Sequence, residues 1–240
     1  MTPTMDTIDE GASHRTNKER LSFTIKNLFG LLFFGLLLFL PAGTLNWPAA
    51  WVYLGLFLLV LIASSIYTDP ELLRDERGIG QAGRKNWDLA LVSVYGLLTS
   101  LATPIVAGLD WRNGWSGLQP LWIPLLAAIL FSLGWAFGLW AMAVNRYFSK
   151  VVRIQHERGH HVVQSGPYRF VRHPGYVGAI IQNLSTAVIL GSWWAMIPAA
   201  VASAIMILRT GLEDRTLQNE LEGYEAYSGH VRFRLIPGIW

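Results

Sequence analysis

The chain has 240 residues, of which 52% are hydrophobic and only 15% are charged, and its mean hydropathy is +0.34. About a quarter of the residues of a soluble domain are charged, so the smaller fraction here argues against a single soluble core. The net charge of +3 does not favour binding to nucleic acid. Because there is no cysteine, disulfides, thiolate metal ligands and a cysteine nucleophile are excluded.

Residues 1–20 are mostly polar, and we expect them to form a disordered tail. The apolar run that follows does not end in a small-residue cleavage site. The pattern therefore differs from that of a secretory signal peptide.

Four apolar stretches follow, each close to the 20 residues that cross a hydrocarbon core as a helix. A tight turn at Asn46–Pro48 separates the first two, a charged loop (69–88) precedes the third, and Pro104 is expected to kink that third stretch. On the fourth, Gly134 and Gly138 are four residues apart, which permits close helix contact but is equally compatible with loose packing. The predicted spans are 23–42, 47–67, 87–109 and 121–144.

The remainder of the chain, 145–240, is more polar. Two shorter apolar runs, 176–190 and 193–208, are interrupted at Gly191–Ser192, and we interpret them as a helical hairpin that enters the membrane and returns. The charged segment after them is expected to be helical to about Ser228. Polar residues at membrane depth are costly without a role, so we expect the function in this half.

The basic residues are distributed unequally between the predicted loops. Of the 19 Lys and Arg residues, 18 fall in segments on one side and only Arg112 falls on the other. Because basic residues stay cytoplasmic, both termini are predicted to be cytoplasmic. The sequence therefore predicts an all-α, multi-pass membrane helical bundle, with a tail (1–20), four transmembrane helices (21–144) and a functional region with a C-terminal hairpin (145–240).

A dense cluster of histidine, tyrosine, arginine and turn residues lies between 159 and 178. Gly166-Pro167 and His173-Pro174-Gly175 are turn signals that would hold backbone amides close to a ligand. Tyr168 and Tyr176 can stack on a flat ring or donate a hydrogen bond. The histidines lack a metal-binding spacing such as HExxH, so no metal site is predicted. Equally, the cluster could be an interfacial anchor, because such residues favour the headgroup region.

A second cluster, Arg209-Thr210-Gly211-Leu212-Glu213-Asp214, directly follows the last apolar run. Arg209 and Glu213 are four residues apart and share a helix face. They are either a surface ion pair worth a few tenths of a kcal/mol or an acid and a base at the mouth of a membrane pocket. Asp214 adds negative charge that could attract a cationic ligand. No P-loop, GxGxxG or GxSxG motif occurs.

At these residues the chain resembles the isoprenylcysteine carboxyl methyltransferase family of integral membrane methyltransferases, to which phospholipid N-methyltransferases are related. The resemblance covers about 145–240 and rests on Gly-Pro-Tyr at 166–168, Arg-His-Pro-Gly-Tyr-Val-Gly at 172–178 and Arg-Thr-Gly-Leu-Glu-Asp at 209–214. It implies that S-adenosylmethionine binds in a cytoplasmic pocket of the C-terminal region. It also implies a lipophilic acceptor that enters from the bilayer. The leading candidate for this acceptor is a carboxylate such as an isoprenylcysteine.

The resemblance also assigns roles to individual residues. Glu213 matches the acidic cofactor ligand and Arg209 the residue assigned to the substrate, which makes these two the catalytic candidates. Arg153 stands where the eukaryotic carboxyl methyltransferases have a glutamine that contacts the cofactor. The other matched cofactor-binding positions are His160, His161, Val162, Val163, Tyr168, His173, Pro174, Gly175 and Tyr176.

The chemistry of methyl transfer is compatible with these residues. The reaction is an in-line displacement, so the protein mainly positions donor and acceptor. A carboxylate acceptor is ionised near pH 7 and needs no general base, and Arg209 could orient it by a two-pronged contact. An amine acceptor would need a base, for which Glu213 or a histidine could serve.

Two other functions are compatible with parts of the pattern. NADPH-dependent sterol or steroid reductases look similar around Gly-Pro-Tyr-Arg and Arg-His-Pro, where Arg169 and Arg172 could meet a 2′-phosphate. A non-catalytic membrane accessory protein would use the polar clusters only as interfacial anchors.

Overall fold

The computed structural model describes residues 28–67 and 83–240, together with residues 21, 24 and 25. The predicted tail and most of the charged loop at 69–88 lie outside the described residues. Seven helices and no strand occur in the described part of the chain, which confirms the all-α prediction for it. The helices are α1 (Leu28–Ala42), α2 (Pro48–Tyr67), α3 (Asn86–Asn113), α4 (Trp122–Val144), α5 (Pro174–Ile189), α6 (Met196–Glu220) and α7 (Tyr224–His230).

Three of these helices, α3, α4 and α6, are long and apolar enough to cross a membrane. With a rise of 1.5 Å per residue, the 23 residues of α4 extend over about 35 Å, more than the hydrocarbon core of a bilayer. Leu125, Ile129 and Leu133, spaced one turn apart on α4, are all exposed. An exposed apolar stripe of this kind is expected where a helix faces lipid.

The irregularity predicted around Pro104 takes the form of a π-helical turn over Leu98–Ala102 inside α3. The Thr103 hydroxyl donates to the carbonyl oxygen of Leu98 at 2.9 Å. Proline has no N–H to continue the hydrogen-bond ladder and its ring crowds the preceding turn, so a wider turn just before it relieves the clash.

Close packing of α4 against α5 depends on glycines. A Cβ on Gly178 would lie 2.5 Å from the carbonyl oxygen of Gly134 and 3.2 Å from the backbone nitrogen of Gly138. Only glycine allows the two backbones to approach this closely. The close-contact interpretation of the glycine pair is therefore confirmed.

Helix α3 and the α5–α6 hairpin extend between the same two ends of the molecule. At one end, the Lys85 ammonium pairs with the Glu220 carboxylate at 2.6 Å. At the other, the Ser192 hydroxyl in the hairpin turn donates to the buried carboxylate of Asp110. We refer to these as the Lys85 end and the Asp110 end. The hairpin turn thus reaches as far as the C-terminal part of α3.

The C-terminal segment differs from the prediction of one helix to about Ser228. Helix α6 stops at Glu220, and α7 begins at Tyr224 after Gly223, whose φ of +80° suits glycine. The break lets Leu221 and Tyr224 pack against Ile154 in a small buried cluster. Burial of these apolar side chains favours the turn over a continued, exposed helix.

Candidate functional site

A cleft lies at the Lys85 end, between the loop that follows α4, the first turns of α5 and the C-terminal part of α6. Its empty volume is about 780 Å³, which includes space that is open to solvent. Nine of the ten residues assigned to the cofactor from the sequence line this cleft. The exception is Pro174, which is buried in the first turn of α5.

One wall of the cleft combines an aromatic surface with a carboxylate. The rings of His173 and Tyr176 are stacked, with centroids 5.6 Å apart and an interplanar angle of 3°. The Tyr176 hydroxyl donates to Oε2 of Glu213. Tyr176 lies in the first turn of α5 and Glu213 lies in α6, so the packing of the hairpin brings them together. This wall can pack on a flat ring and accept hydrogen bonds or attract a cation.

The guanidinium of Arg209 is adjacent to this wall but does not line the cleft. It lies 4.9 Å from the centroid of the Tyr176 ring. Its Nε donates to Oδ1 of Asp88 at 2.6 Å, and its Nη2 donates to Oδ2 of Asp88 at 3.2 Å and to the Lys150 carbonyl oxygen at 2.9 Å. A two-pronged contact between Arg209 and an acceptor through these nitrogens would therefore require displacement of Asp88. The ion pair with Glu213 that the sequence suggested is absent among the described residues.

Asp88, which holds Arg209 beside the cleft, was not identified in the sequence analysis. The sequence placed it at the end of a charged loop, but it lies in the first turn of α3 and is fully buried. Besides Arg209, it accepts a hydrogen bond from the backbone N–H of Val152 at 2.7 Å. The signal available in the sequence was a lone carboxylate at the start of an apolar helix, where an unpaired charge is costly.

Asp214 does not act as the free negative charge that the sequence suggested. It is fully buried and binds both Nε and Nη2 of Arg172, at 2.7 and 2.8 Å. It also accepts from Nε of Arg234 at 2.8 Å and from the Tyr224 hydroxyl at 2.9 Å. Its charge is thus compensated within the protein. Asp214 joins α6, the loop before α5 and the C-terminal segment, which makes it a structural anchor behind the cleft.

Arg172 lines the cleft, but most of its hydrogen-bond donors bind groups of the protein itself. In addition to Asp214, its Nη1 donates to the carbonyl oxygens of Val231 and Arg232 at 2.7 and 2.8 Å. Four of its five N–H donors are therefore used. Burial opposes the charge of Arg172, but the bonds to Asp214 outweigh it and raise its pKa.

The opposite wall is built from the loop after α4. The Tyr147 hydroxyl lies 2.7 Å from the Gly159 carbonyl oxygen and 2.7 Å from Nδ1 of His161. The ring of Tyr147 also packs on His160, with centroids 4.4 Å apart. Burial, reinforced by the electrostatic influence of the neighbouring His161, lowers the pKa of His160 to about 4. His160 is therefore a neutral imidazole at pH 7.

Arg153 also lines the cleft, and its side chain is largely buried. In the described part of the chain, no group of three or more His, Asp or Glu side chains is placed to hold a metal ion.

Comparisons with known proteins match the region that forms this cleft. Residues 126–219 match the model of the isoprenylcysteine carboxyl methyltransferase (ICMT) family. Protein-S-isoprenylcysteine O-methyltransferase A of Arabidopsis thaliana is 31% identical over 93 residues, which are 38% of this chain and 45% of that protein. Probable protein-S-isoprenylcysteine O-methyltransferases of Oryza sativa subsp. indica and subsp. japonica are each 41% identical over 49 residues, 20% of this chain and 26% of theirs. The matches thus span less than half the length of these relatives, and they confirm the resemblance found in the sequence.

Proposed function

We propose that the protein is an integral membrane methyltransferase that uses S-adenosylmethionine and a lipophilic acceptor, since residues 126–219 of the chain match the model of the isoprenylcysteine carboxyl methyltransferase family. The observation that carries the proposal is the convergence of nine separately assigned residues on one cleft. These residues come from the loop after α4, from α5 and from α6. Glu213 lies 37 positions after Tyr176, and a set of interfacial anchors would not require it to meet the other eight residues in one cleft.

The chemical character of the cleft fits the proposed donor. S-adenosylmethionine carries a flat adenine, a ribose, a sulfonium cation and a charged amino acid group. The stacked rings of His173 and Tyr176 provide a surface for a flat group. Glu213 is the only acidic side chain among the lining residues and can accept from a ribose or attract a cation. Arg153 adds a largely buried guanidinium.

The proposed roles of the protein's side chains concern position and charge. When bound, S-adenosylmethionine supplies a methyl group by in-line displacement, in which the acceptor atom bonds to the methyl carbon as the sulfur–methyl bond breaks. Tyr176 occupies one oxygen of Glu213, so the carboxylate is held in one orientation with its other oxygen available to the ligand. Arg209 adds a fixed positive charge beside them. A carboxylate acceptor, ionised near pH 7, would need no further base.

The acceptor is proposed to be a lipophilic carboxylate such as an isoprenylcysteine. The named activity of the Arabidopsis and Oryza relatives supports this substrate class. The Glu213 wall of the cleft lies on α6, the same helix that provides an apolar membrane-length segment. A substrate with an apolar chain could thus lie along the helices in the bilayer and present its polar end at the cleft.

The membrane arrangement that we propose has four spans and the α5–α6 hairpin, with the cleft and both termini in the cytoplasm. Lys85, Arg153, Arg172 and Arg209 all lie at the Lys85 end with the cleft. Arg112, the one basic residue predicted on the opposite side, lies beside Gly43 in the α1–α2 turn, within 3.8 Å of a Cβ built there. This separation of charge along the bundle supports a cytoplasmic Lys85 end.

The reductase alternative is less well supported by the geometry. It required Arg172 to meet a phosphate, but four of the five donors of Arg172 are used by Asp214 and by two backbone carbonyls. Arg169 is exposed and is not among the residues that line the cleft.

Calorimetric titration of the detergent-purified protein tests the proposal directly. S-adenosylmethionine and NADPH are titrated in parallel into the unchanged protein, Glu213→Gln and Glu225→Gln, the last being a matched control at an exposed position on α7. We expect binding of S-adenosylmethionine that is weakened only by Glu213→Gln. Binding of NADPH alone would assign the protein to the reductases. A folded protein that binds neither ligand would contradict an enzymatic role for the cleft.

A further inference from the structure

One charged group in the cleft has no sufficient partner among the described residues. The side chain of Arg153 is only 7% exposed. Its Nη1 donates to Oε1 of Glu157 at 2.8 Å, but the Glu157 side chain is 57% exposed. The Nε of Arg153 is buried and has no hydrogen-bond partner in the part of the chain that the structure describes.

A buried, incompletely paired guanidinium is unfavourable, because a charged donor that has lost water must regain an equivalent bond. The other charged groups of the cleft cannot provide it. Glu213, the one acidic side chain among the described lining residues, is bonded to Tyr176 and makes no ion pair with Arg153, and the charge of Arg172 is compensated by Asp214. Arg153 is thus the cationic lining residue whose charge the protein leaves available to a ligand.

An anion with a planar, two-oxygen head is the natural partner of such a group, since guanidinium donors match a carboxylate. Two carboxylates could enter this cleft under the proposed function, that of the donor's amino acid group and that of a lipophilic acceptor. The position of Arg153 favours the donor. It lies in the polar loop after α4, next to the exposed Glu157, whereas a lipophilic acceptor would approach from the apolar helices.

We propose that Arg153 is the carboxylate-binding residue of the donor site and holds the α-carboxylate of the amino acid group of S-adenosylmethionine. This inference rests on the proposed function and goes beyond it, because it names the residue that recognises one charged group of the donor. The charge of Arg153 makes recognition of the donor depend on its carboxylate.

The test compares the binding of two ligands to four forms of the protein and requires no methyl transfer. S-adenosylhomocysteine and its decarboxylated analogue are titrated by calorimetry into the unchanged protein, Arg153→Met, Arg153→Lys and Glu157→Gln. We expect the unchanged protein to prefer the carboxylate-bearing ligand by about 10- to 100-fold, the range of a charge-assisted hydrogen bond. Arg153→Met should abolish this preference and leave the affinity for the decarboxylated ligand within about threefold. Arg153→Lys should retain part of the preference, and Glu157→Gln should retain it.

Four results would overturn the inference. A preference that survives Arg153→Met would assign the carboxylate to another residue. An equal loss of affinity for both ligands in a folded Arg153→Met variant would show that Arg153 has only a structural role. If Arg153→Met instead weakened the binding of a prenylcysteine acid and left the binding of its methyl ester unchanged, the residue would belong to the acceptor site. Failure of the unchanged protein to bind either nucleoside would contradict the proposed function itself, and with it this inference.

Discussion

The carboxylate of Asp88 holds the guanidinium of Arg209 through two hydrogen bonds, from Nε at 2.6 Å and from Nη2 at 3.2 Å. The two residues are 121 positions apart in sequence, and both are buried. Arg209 lies within the segment 126–219 that matches the family, whereas Asp88 lies outside it. Helix α3 therefore contributes directly to the frame behind the cleft.

We expect Asp88→Asn to destabilise the protein by about 3–5 kcal/mol, because it leaves the charge of Arg209 buried without its partner. Thermal unfolding in detergent measures this effect. The matched control is Glu220→Gln, which removes the partly exposed pair between Lys85 and Glu220 and should cost no more than about 1 kcal/mol. Equal effects of the two substitutions would show that Arg209 does not depend on Asp88.

Loss of charge at the adjacent acids Glu213 and Asp214 should affect different properties, ligand binding for Glu213 and stability for Asp214. Asp214→Asn leaves Arg172 and Arg234 without their common partner, so we expect a large drop in thermal stability. Glu213→Gln should leave stability within about 1 kcal/mol, because Glu213 lines the cleft and is not fully buried. It should instead weaken binding of S-adenosylmethionine. The reverse pattern would place the ligand-binding carboxylate at Asp214.

Packing of α4 on α5 predicts a strong effect of a single methyl group at Gly178. The added Cβ would lie 2.5 Å from the backbone oxygen of Gly134, so one helix must move. We expect Gly178→Ala to cost about 1–3 kcal/mol. Gly96→Ala on α3 is the control, since no heavy atom lies within 4 Å of its Cβ and alanine favours the helix. Similar melting temperatures for both variants would contradict the close contact.

The neutral state of His160 predicts a pH dependence of stability. Its pKa is about 4 in the folded protein and 6.5 in a model peptide. Between these values the unfolded chain takes up a proton that the folded chain does not, so stability falls as the pH decreases from 6.5 towards 4. Above pH 6.5 the residue contributes no such dependence. Melting temperatures at pH 7.5, 6 and 5 should show this decrease.

His160→Gln should reduce the pH dependence, because it removes the group whose protonation favours unfolding. His230→Gln, at an exposed position on α7, serves as the control and should leave the dependence unchanged. If the two variants lost stability to the same extent as the unchanged protein between pH 6.5 and 5, His160 would not be the responsible group.

The proposed orientation can be tested with single cysteines, because the chain contains none of its own. Leu118, which is 96% exposed in the loop before α4, belongs to the Asp110 end. Glu225 is exposed on α7 near the cleft. In sealed, right-side-out vesicles, a membrane-impermeant maleimide should label Leu118→Cys and should reach Glu225→Cys only after the membrane is opened. Labelling of both from one side would refute the arrangement.

Much of the architecture could be predicted because hydrophobicity is a local property of the sequence. The apolar stretch 121–144 became α4, and the hairpin around Gly191 and Ser192 became α5 and α6. The break of the C-terminal helix at Gly223 was not predicted. It depends on burial of Leu221 and Tyr224 against Ile154, a contact that no local pattern contains.

The residues of the candidate site were identified by motif, but their partners were not. The sequence by itself determined that the chain is apolar and helical, and that the turn-rich histidine cluster and the Arg209–Asp214 segment carry the chemistry. Only the tertiary structure decided that Arg209 pairs with Asp88, that Asp214 is neutralised by Arg172, and that Arg153, among the described residues, has a nitrogen without a hydrogen-bond partner. Helix formation and membrane partition follow from neighbouring residues, whereas charge pairing follows from distances between segments that only the folded chain brings together.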